Sequence, residues 1–173
     1  MGSIVNGLAY TKMWFPYSAT FLVFADYMRP PMRLAALCHL QSLFVFTHDS
    51  YFVGEDGPTH QPIEHLSSLR VIPRLDVYRP ADGVETAACY LMSLKRQDRS
   101  AAFAFTRQNL PRLERSSDFS SSDACKGGYV LSGADTEDLV LVATGSEVSL
   151  AVDTAAQMAE NCLLYTSPSP RDS

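Results

Sequence analysis

Short apolar runs that alternate with segments of helical periodicity constrain the fold of this chain more than any other feature. Runs of four to seven mostly apolar residues are typical of strands that are buried on both faces of a sheet. Strands are therefore predicted at residues 20–24 (TFLVF), 42–47 (SLFVFT), 75–79 (LDVYR) and 101–107 (AAFAFTR).

Segments with apolar residues at helical spacing follow the first three of these runs. Helices are predicted at residues 32–40, where Pro30 and Pro31 suit the helix start, at 63–70 and at 82–96. Asp82 and Glu85 form a D-x-x-E capping pattern at the start of the third helix. This order predicts an α/β fold with a mostly parallel sheet and helices on both faces. Ligands of such sheets bind at the carboxyl ends of the strands.

The polar stretch 114–123 (ERSSDFSSSD) indicates a linker, because it is rich in Ser and Asp and lacks periodicity. Beyond it, strands are predicted at 126–131 (KGGYVL) and 138–146 (DLVLVATGS). Ser146 with Glu147 is predicted to cap the helix that follows.

The predicted organisation is a domain over 1–115, a linker over 116–126, the start of a second, incomplete α/β domain over 127–161, and a tail over 162–173. The tail begins CLLYTSPSPRD and breaks the pattern abruptly. This string resembles the translation of a sequencing-library adapter. We therefore predict that the tail is foreign to the protein and forms no packed structure.

Composition excludes several classes of function. Apolar residues make up 46% and charged residues 19% of the chain, which is typical of a globular protein. The net charge of −5 and the dispersed Lys and Arg residues argue against nucleic-acid binding. The four cysteines lack C-x-x-C spacing, and no apolar run approaches the roughly 20 residues of a membrane span. Without a visible targeting signal, the sequence predicts a cytoplasmic protein with no membrane partner.

The loop after the second predicted strand carries more chemistry than a turn requires. Residues 47–50 read THDS and residues 54–62 read GEDGPTHQP. Glycine and proline explain the turn, but they do not explain the acids and histidines beside them. Because this loop and the end of AFTRQNL both follow strands, we expect four side chains to converge on one crevice: His48, Asp56, His60 and Arg107. Taken alone, a histidine at a strand end is more often structural, and an isolated arginine more often forms a surface ion pair.

These motifs resemble those of transketolases. The resemblance rests, in the family's order, on MGSIVNGLA, ATFLVFADYMR, THDS, GEDGPTHQPIEHL, RPAD with GVETA, TRQNLPRLE, KGGYVL and LVATGSEVSLA, and it covers residues 1 to about 161. GEDGPTHQP at this distance after THDS is its most specific part. By resemblance, residues 1–115 are most of the domain that binds the cofactor's pyrimidine ring, lacking its amino-terminal end, and residues 127–161 begin the carboxyl-terminal domain.

The resemblance implies transfer of a two-carbon ketol unit from a ketose phosphate to an aldose phosphate, as in the pentose phosphate pathway and the Calvin cycle. It implies that His60 is catalytic and lies near the reacting carbonyl, with His48 toward the substrate phosphate. Asp56 would accept hydrogen bonds from substrate hydroxyls, and Arg107 would pair with the phosphate. If the source is a photosynthetic eukaryote, the resemblance also fits a protein of the plastid.

The resemblance also implies thiamine diphosphate and magnesium as cofactors. Phe21, Phe24 and Tyr27 would pack on the aminopyrimidine ring, although spacing alone makes the two phenylalanines core residues. In the family, the magnesium ligands lie in an amino-terminal domain, and an activating Glu lies a few residues before the Met-Gly found here at Met1. The complete site is shared by the two subunits of a homodimer. These 173 residues would therefore hold part of one half-site and be inactive by themselves.

Three alternatives stay open. Another thiamine diphosphate enzyme, such as deoxyxylulose phosphate synthase or the β part of a 2-oxo acid dehydrogenase, would share the fold but should lack THDS and GEDGPTHQP. A metal-dependent hydrolase would use His48, Asp49, Asp56 and His60 as ligands. A non-catalytic pyrimidine-domain module would keep only the fold and a binding role. An E-H-x-M-G setting around Met1 would favour transketolase.

Overall fold

A four-stranded parallel sheet forms the centre of the computed structural model, which describes residues 1–133 and 139–160. Its strands are β1 (Tyr17–Phe21), β2 (Leu43–Thr47), β3 (Leu75–Tyr78) and β4 (Ser100–Ala104), in the order β1-β2-β4-β3. Phe44 of β2 lies between Ser18 of β1 and Ala102 of β4, and Ala102 also pairs with Val77 of β3. The predicted parallel α/β sheet is confirmed.

Helices cover both faces of this sheet. They are α1 (Gly2–Tyr10), α2 (Ala25–Leu37), α3 (His65–Arg70), α4 (Gly83–Lys95), the short α5 (Ser121–Ala124) and α6 (Glu147–Glu160). Two 3-10 turns, Leu22–Phe24 and Pro58–His60, precede α2 and α3. Within the described residues, no helix is both long enough and apolar enough to cross a bilayer.

Alternating side chains of the central strands explain why their sequences are apolar throughout. Phe44 and Phe46 of β2 point to the face covered by α2 and α3, where they pack with Met32. Leu43 of β2 and Phe103 of β4 point to the opposite face, where they pack with Cys89 of α4. Burial raises the pKa of the Cys89 thiol to about 12, so this cysteine stays protonated and behaves as a small apolar side chain.

The predicted first strand is displaced by three residues. Its prediction at 20–24 is wrong at the carboxyl end, because Leu22–Phe24 form a 3-10 turn and the strand covers Tyr17–Phe21. β1 is an edge strand that pairs only with β2 among the described strands, and its Tyr17 is exposed while Ser18 is buried. A half-exposed edge strand need not be apolar at every position, so the first half of β1 lacks the continuous apolar run that is typical of a doubly buried strand.

Pro30 and Pro31 lie inside α2 and not at its start, contrary to prediction. The helix begins at Ala25 and has Asp26 in its first turn. A carboxylate at this position interacts favourably with the positive end of the helix dipole. The two prolines lack the N–H groups that would bond to the carbonyls of Asp26 and Tyr27. Both of these residues are exposed, so water can satisfy their carbonyls.

Pro31 instead docks α1 against α2. The amide of Asn6 donates a hydrogen bond of 2.8 Å to the Pro31 carbonyl. A β-carbon at Gly2 would lie only 2.9 Å from Cγ of Pro31, so the helices approach closely where Gly2 lacks a side chain.

The other predicted elements up to residue 110 agree with the structure. β2 and β3 lie within the predicted strands, α3 lies within 63–70, and α4 runs to Lys95. β4 begins one residue before the predicted strand at 101–107 and ends at Ala104, before its predicted end. Asp82 caps α4 as predicted, because its carboxylate accepts hydrogen bonds from the amides of Val84 and Glu85.

The carboxyl-terminal predictions agree only in part. The helix after Ser146 is confirmed as α6, but residues 126–131 and 139–146 do not form strands. A strand needs a paired neighbour, and no described residue pairs with these segments, so apolar side chains at 139–142 are exposed. Residue 138 and the predicted foreign tail over 162–173 lie outside the described residues. The proposed domain boundaries stay predictions.

Candidate functional site

The ends of β2 and β4 continue side by side at the carboxyl edge of the sheet. The amide of Phe105 donates to the Phe46 carbonyl at 2.8 Å, and the amide of Asp49 donates to the Phe105 carbonyl at 3.2 Å. These bonds hold the THDS segment next to the segment that leads to Arg107. The two motifs therefore meet at this edge, as expected for the carboxyl ends of parallel strands.

His48 adopts a conformation that is uncommon for a residue with a side chain. Its φ of 57° lies in the left-handed region, which costs energy unless the surroundings compensate. The imidazole stacks on the ring of Phe21, with 3.7 Å between centroids and 23° between planes. Its Nδ1 lies 3.0 Å from the hydroxyl of Thr47. The strained backbone thus directs His48 over the end of β1.

The GEDGPTHQP loop brings a second histidine to the same rings. Gly54 and Gly57 have φ of 84° and 72°, which glycine adopts without strain and which turn the chain back. The following 3-10 turn places the imidazole of His60 edge-on to Phe24, with centroids 5.5 Å apart. His60 also lies 6.4 Å from the Phe21 ring, and its Nδ1 contacts the Thr59 hydroxyl at 3.0 Å.

Three aromatic side chains complete a group that we call the ring cluster: Phe21, Phe24, Tyr27, His48 and His60. The rings of Phe21 and Phe24, and those of Phe24 and Tyr27, are each 6.2 Å apart. Tyr27 is 81% exposed, so most of its ring is free to contact another group.

An open cleft of about 450 Å³ lies beside the ring cluster. It is lined by Met1, Gly2, Ser3, Thr20, Phe24, Tyr27, Met28, Pro30 and Pro31. None of these lining residues, all of which are described, has a charged side chain. The cleft therefore suits a flat, largely apolar group.

The remaining two predicted site residues are exposed near the same loop. Nη1 of Arg107 lies 3.9 Å from the position that a β-carbon at Gly54 would occupy. Gln108 fixes this segment by donating to the Phe52 carbonyl at 2.7 Å. Asp56 projects into solvent, and within the described part of the chain neither Asp56 nor Arg107 has an ion-pair partner. The structure thus gathers the two histidines closely and leaves the acid and the arginine at the rim.

A buried ion pair beside His48 could not be inferred from the sequence. Arg79, which follows β3, donates from Nε to Asp49 at 2.7 Å, and its Nη1 contacts Glu147 and the Thr144 carbonyl. Burial raises the pKa of Asp49 by more than Arg79 lowers it. The arginine links the THDS segment to the start of α6. Asp49 belongs to the THDS motif and Arg79 to the RPAD motif, but only the fold shows that the two side chains form an ion pair.

A second buried network joins α4 to the segment after β4. Arg115 donates to both carboxylate oxygens of Asp82, at 2.7 and 3.0 Å, and the Leu113 amide also donates to Asp82. Burial disfavours the charged carboxylate, but these hydrogen bonds hold the pKa of Asp82 below its usual range. Tyr129 extends the network by donating to Glu85 at 2.6 Å.

The metal-hydrolase alternative has no geometric support. Among the described residues, the group of side chains that could hold a metal ion is Asp26, Glu64 and His65. It includes none of the four proposed ligands, His48, Asp49, Asp56 and His60. His48 and His60 face aromatic rings instead of gathering with acids.

Comparison with known proteins gives one consistent result. The family model for the transketolase pyrimidine-binding domain matches residues 1–112. The transketolase of Nostoc sp. is 52% identical over 162 residues, and that of Physarum polycephalum is 46% identical over 171 residues. These alignments cover 91% and 98% of this chain but only 24% and 26% of the relatives. The chain thus spans about a quarter of their length.

Solved structures agree with the sequence relatives. A crystal structure of transketolase from Pichia stipitis in complex with sedoheptulose 7-phosphate superposes with a TM-score of 0.87 at 47% identity. The match covers 93% of this chain and 24% of that protein. It therefore extends beyond the residues that the family model covers.

Proposed function

The chain belongs to the transketolase family, and from that premise we propose that it forms part of an enzyme that transfers a two-carbon ketol unit from a ketose phosphate to an aldose phosphate. The observation that carries this proposal is the ring cluster, because His48 and His60 lie against the aromatic side chains at the carboxyl edge of the sheet. Residues 1–115 would form the pyrimidine-binding domain, and residues 127–161 would begin the next domain after a linker. The sugar phosphates would be those of the pentose phosphate pathway.

The uncharged cleft fits one half of thiamine diphosphate. Phe21, Phe24 and Tyr27 would hold the aminopyrimidine ring by stacking and apolar contact. When bound, the cofactor would supply the carbon nucleophile that carries the two-carbon unit. The cleft lining has no carboxylate for magnesium and no lysine or arginine for a diphosphate, so residues outside this lining would hold both.

Exposed apolar side chains on α1 and the segment after it favour a homodimer. Ile4, Tyr10, Met13, Trp14 and Phe15 are all more than half exposed on α1 and the segment that follows it. Exposed apolar side chains concentrated in one segment are typical of an interface. In the homodimer, a second subunit would cover this surface and supply the rest of the site.

The polar residues at the rim would bind and orient the sugar phosphate. His60 would transfer a proton near the reacting carbonyl, since its Nδ1 contacts Thr59 and leaves Nε2 for the substrate. His48 and Arg107 would lie toward the phosphate, and Asp56 would accept hydrogen bonds from substrate hydroxyls. The strained backbone of His48 supports a functional role for that residue.

A chimera tests the proposed function. Residues 1–112 would replace the matching segment of the Nostoc transketolase, which supplies the rest of the enzyme. Initial rates would be measured with thiamine diphosphate, magnesium, a ketose phosphate and an aldose phosphate. We expect ketol transfer that depends on thiamine diphosphate, while the 173-residue chain by itself is expected to show none. A folded, dimeric chimera without turnover would contradict the proposal.

Changing Arg107 to alanine in the chimera is expected to raise KM for phosphorylated substrates by about tenfold to a hundredfold. Loss of a charge-assisted hydrogen bond costs about 1.5–3 kcal/mol, and unphosphorylated substrates never form it. The measurement is kcat and KM for a phosphorylated and an unphosphorylated acceptor. Arg112→Ala, which removes another exposed arginine, is the control. An equal loss on both acceptors would argue against the phosphate role.

A further inference from the structure

Three potential metal ligands meet where α2 approaches α3. Asp26 lies in the first turn of α2, Glu64 is the N-cap of α3, and His65 is the first residue of α3. Nε2 of His65 lies 3.3 Å from Oδ2 of Asp26, and its Nδ1 lies 3.9 Å from Oε2 of Glu64. One ligand atom from each residue can be chosen so that all three lie within 4.8 Å of one another. A single ion would use one ring nitrogen, so an ion between Nε2 and Asp26 would require the exposed Glu64 carboxylate to turn away from Nδ1 and toward it.

His65 supplies an independent sign that a ligand belongs here. Its side chain is only 5% exposed, yet neither ring nitrogen makes a hydrogen bond in the described structure. Buried polar atoms are nearly always satisfied, since leaving one without a hydrogen-bond partner forfeits its hydration without replacement. The contact with Asp26 is short but lacks hydrogen-bond geometry, so it does not remove this cost.

We propose that Asp26, Glu64 and His65 bind a divalent transition-metal ion of the zinc class. Zn²⁺ bonds to imidazole nitrogen and carboxylate oxygen at about 2.0–2.2 Å, which places neighbouring tetrahedral ligands about 3.3 Å apart. The distance between His65 and Asp26 already has this value. Mg²⁺ and Ca²⁺ prefer oxygen ligands alone, so the buried imidazole selects against them.

The surrounding charges are compatible with a bound cation. Arg29 lies 3.9 Å from Oδ1 of Asp26, the carboxylate oxygen other than the one nearest His65. Its guanidinium donates to the Ser68 hydroxyl at 2.6 Å and to the Ser68 carbonyl, which holds it to one side. Both carboxylates are more than half exposed, so a hydrated ion can reach the site. A water molecule would complete the coordination.

Such an ion would cross-link two elements that position the ring cluster. Asp26 directly precedes Tyr27, and α3 follows the loop that carries His60. The site is separate from the proposed cofactor cleft, whose lining includes none of its three ligands. This inference rests on the geometry of α2 and α3 and not on the proposed ketol transfer.

Calorimetric titration of the 173-residue chain with ZnCl₂ tests the inference. The chain would carry Cys38→Ser and His39→Gln, which remove an exposed thiol and an exposed imidazole that could bind zinc elsewhere. We expect one bound Zn²⁺, and we expect Asp26→Asn or Glu64→Gln to weaken its affinity by at least about tenfold. Both side chains are exposed, so neither change should unfold the chain. Glu114→Gln, at an exposed acid elsewhere, should leave the affinity unchanged.

Nitrogen NMR of the His65 ring supplies a second readout. On addition of Zn²⁺, one ring nitrogen of His65 should shift strongly, while Mg²⁺ at the same concentration should shift neither. Absence of zinc binding at micromolar free zinc would overturn the proposal. Binding that leaves the His65 nitrogens unmoved, or that survives both Asp26→Asn and Glu64→Gln, would overturn it equally.

Discussion

Replacing His60 with alanine in the Nostoc chimera is expected to lower kcat by about 10²–10⁴-fold, the usual contribution of a general acid or base. The imidazole lies edge-on to Phe24 and near Phe21, so it borders the place where the cofactor ring would lie. The substitution removes the imidazole that we propose transfers a proton, and it leaves the buried strands intact. Steady-state kinetics with a phosphorylated donor and acceptor would measure the effect.

His39→Gln is the matched control for His60→Ala. His39 follows α2 and precedes β2, so it lies at the amino edge of the sheet, away from the ring cluster. We expect kcat to be unchanged in this variant. Full activity in a folded His60→Ala chimera would contradict the catalytic assignment, and so would an equal loss in both variants.

Changing Asp82 to asparagine is expected to lower the free energy of unfolding of the 173-residue chain by about 1.5–3 kcal/mol, because Arg115 loses its two charge-assisted hydrogen bonds to Asp82 and keeps only the longer contact with Glu85. Asp82 and Arg115 have side chains that are 1% and 7% exposed. The same carboxylate caps α4 and accepts from the Leu113 amide, so one change weakens several buried bonds. Urea denaturation would measure the effect, with Glu114→Gln as an exposed control.

The effect of Asp82→Asn should depend on pH. Because the folded-state pKa of Asp82 is lowered, its contribution to stability is fully present above the unfolded value of about 3.9 and is lost as pH falls through the folded value. The difference between the native chain and Asp82→Asn should therefore shrink below about pH 4. A difference that stays constant down to about pH 2 would show that the ion pair is not its source.

Local patterns predicted the centre of the fold well. β2 and β4 are buried on both faces, so their sequences are largely apolar. Such a run predicts a central strand without information from the rest of the chain. Asp82 was recognisable as a cap because its hydrogen bonds go to residues two and three positions away. The GEDGPTHQP motif carried the resemblance that implies a catalytic role for His60, and that role stays a prediction.

Features that depend on distant partners could not be predicted in the same way. β1 lies at the edge of the sheet, where pairing with β2 decides the strand and local apolarity does not. The bond from Arg79 to Asp49 joins residues 30 positions apart, and its contacts with Glu147 reach still further along the chain. The exposed segment 139–142 was apolar enough for a strand but has no described partner.

The affinity of the chimera for thiamine diphosphate tests most directly whether the ring cluster is the pyrimidine half of a transketolase site. Phe24 contacts Tyr27 and His60 and lines the uncharged cleft. Phe24→Leu keeps an apolar side chain but removes the aromatic ring, and we expect the Kd for the cofactor to rise about tenfold. Phe52→Leu, at an exposed ring that packs on Tyr51, should leave the Kd unchanged. An unchanged Kd in Phe24→Leu, or an equal rise in both variants, would contradict the account.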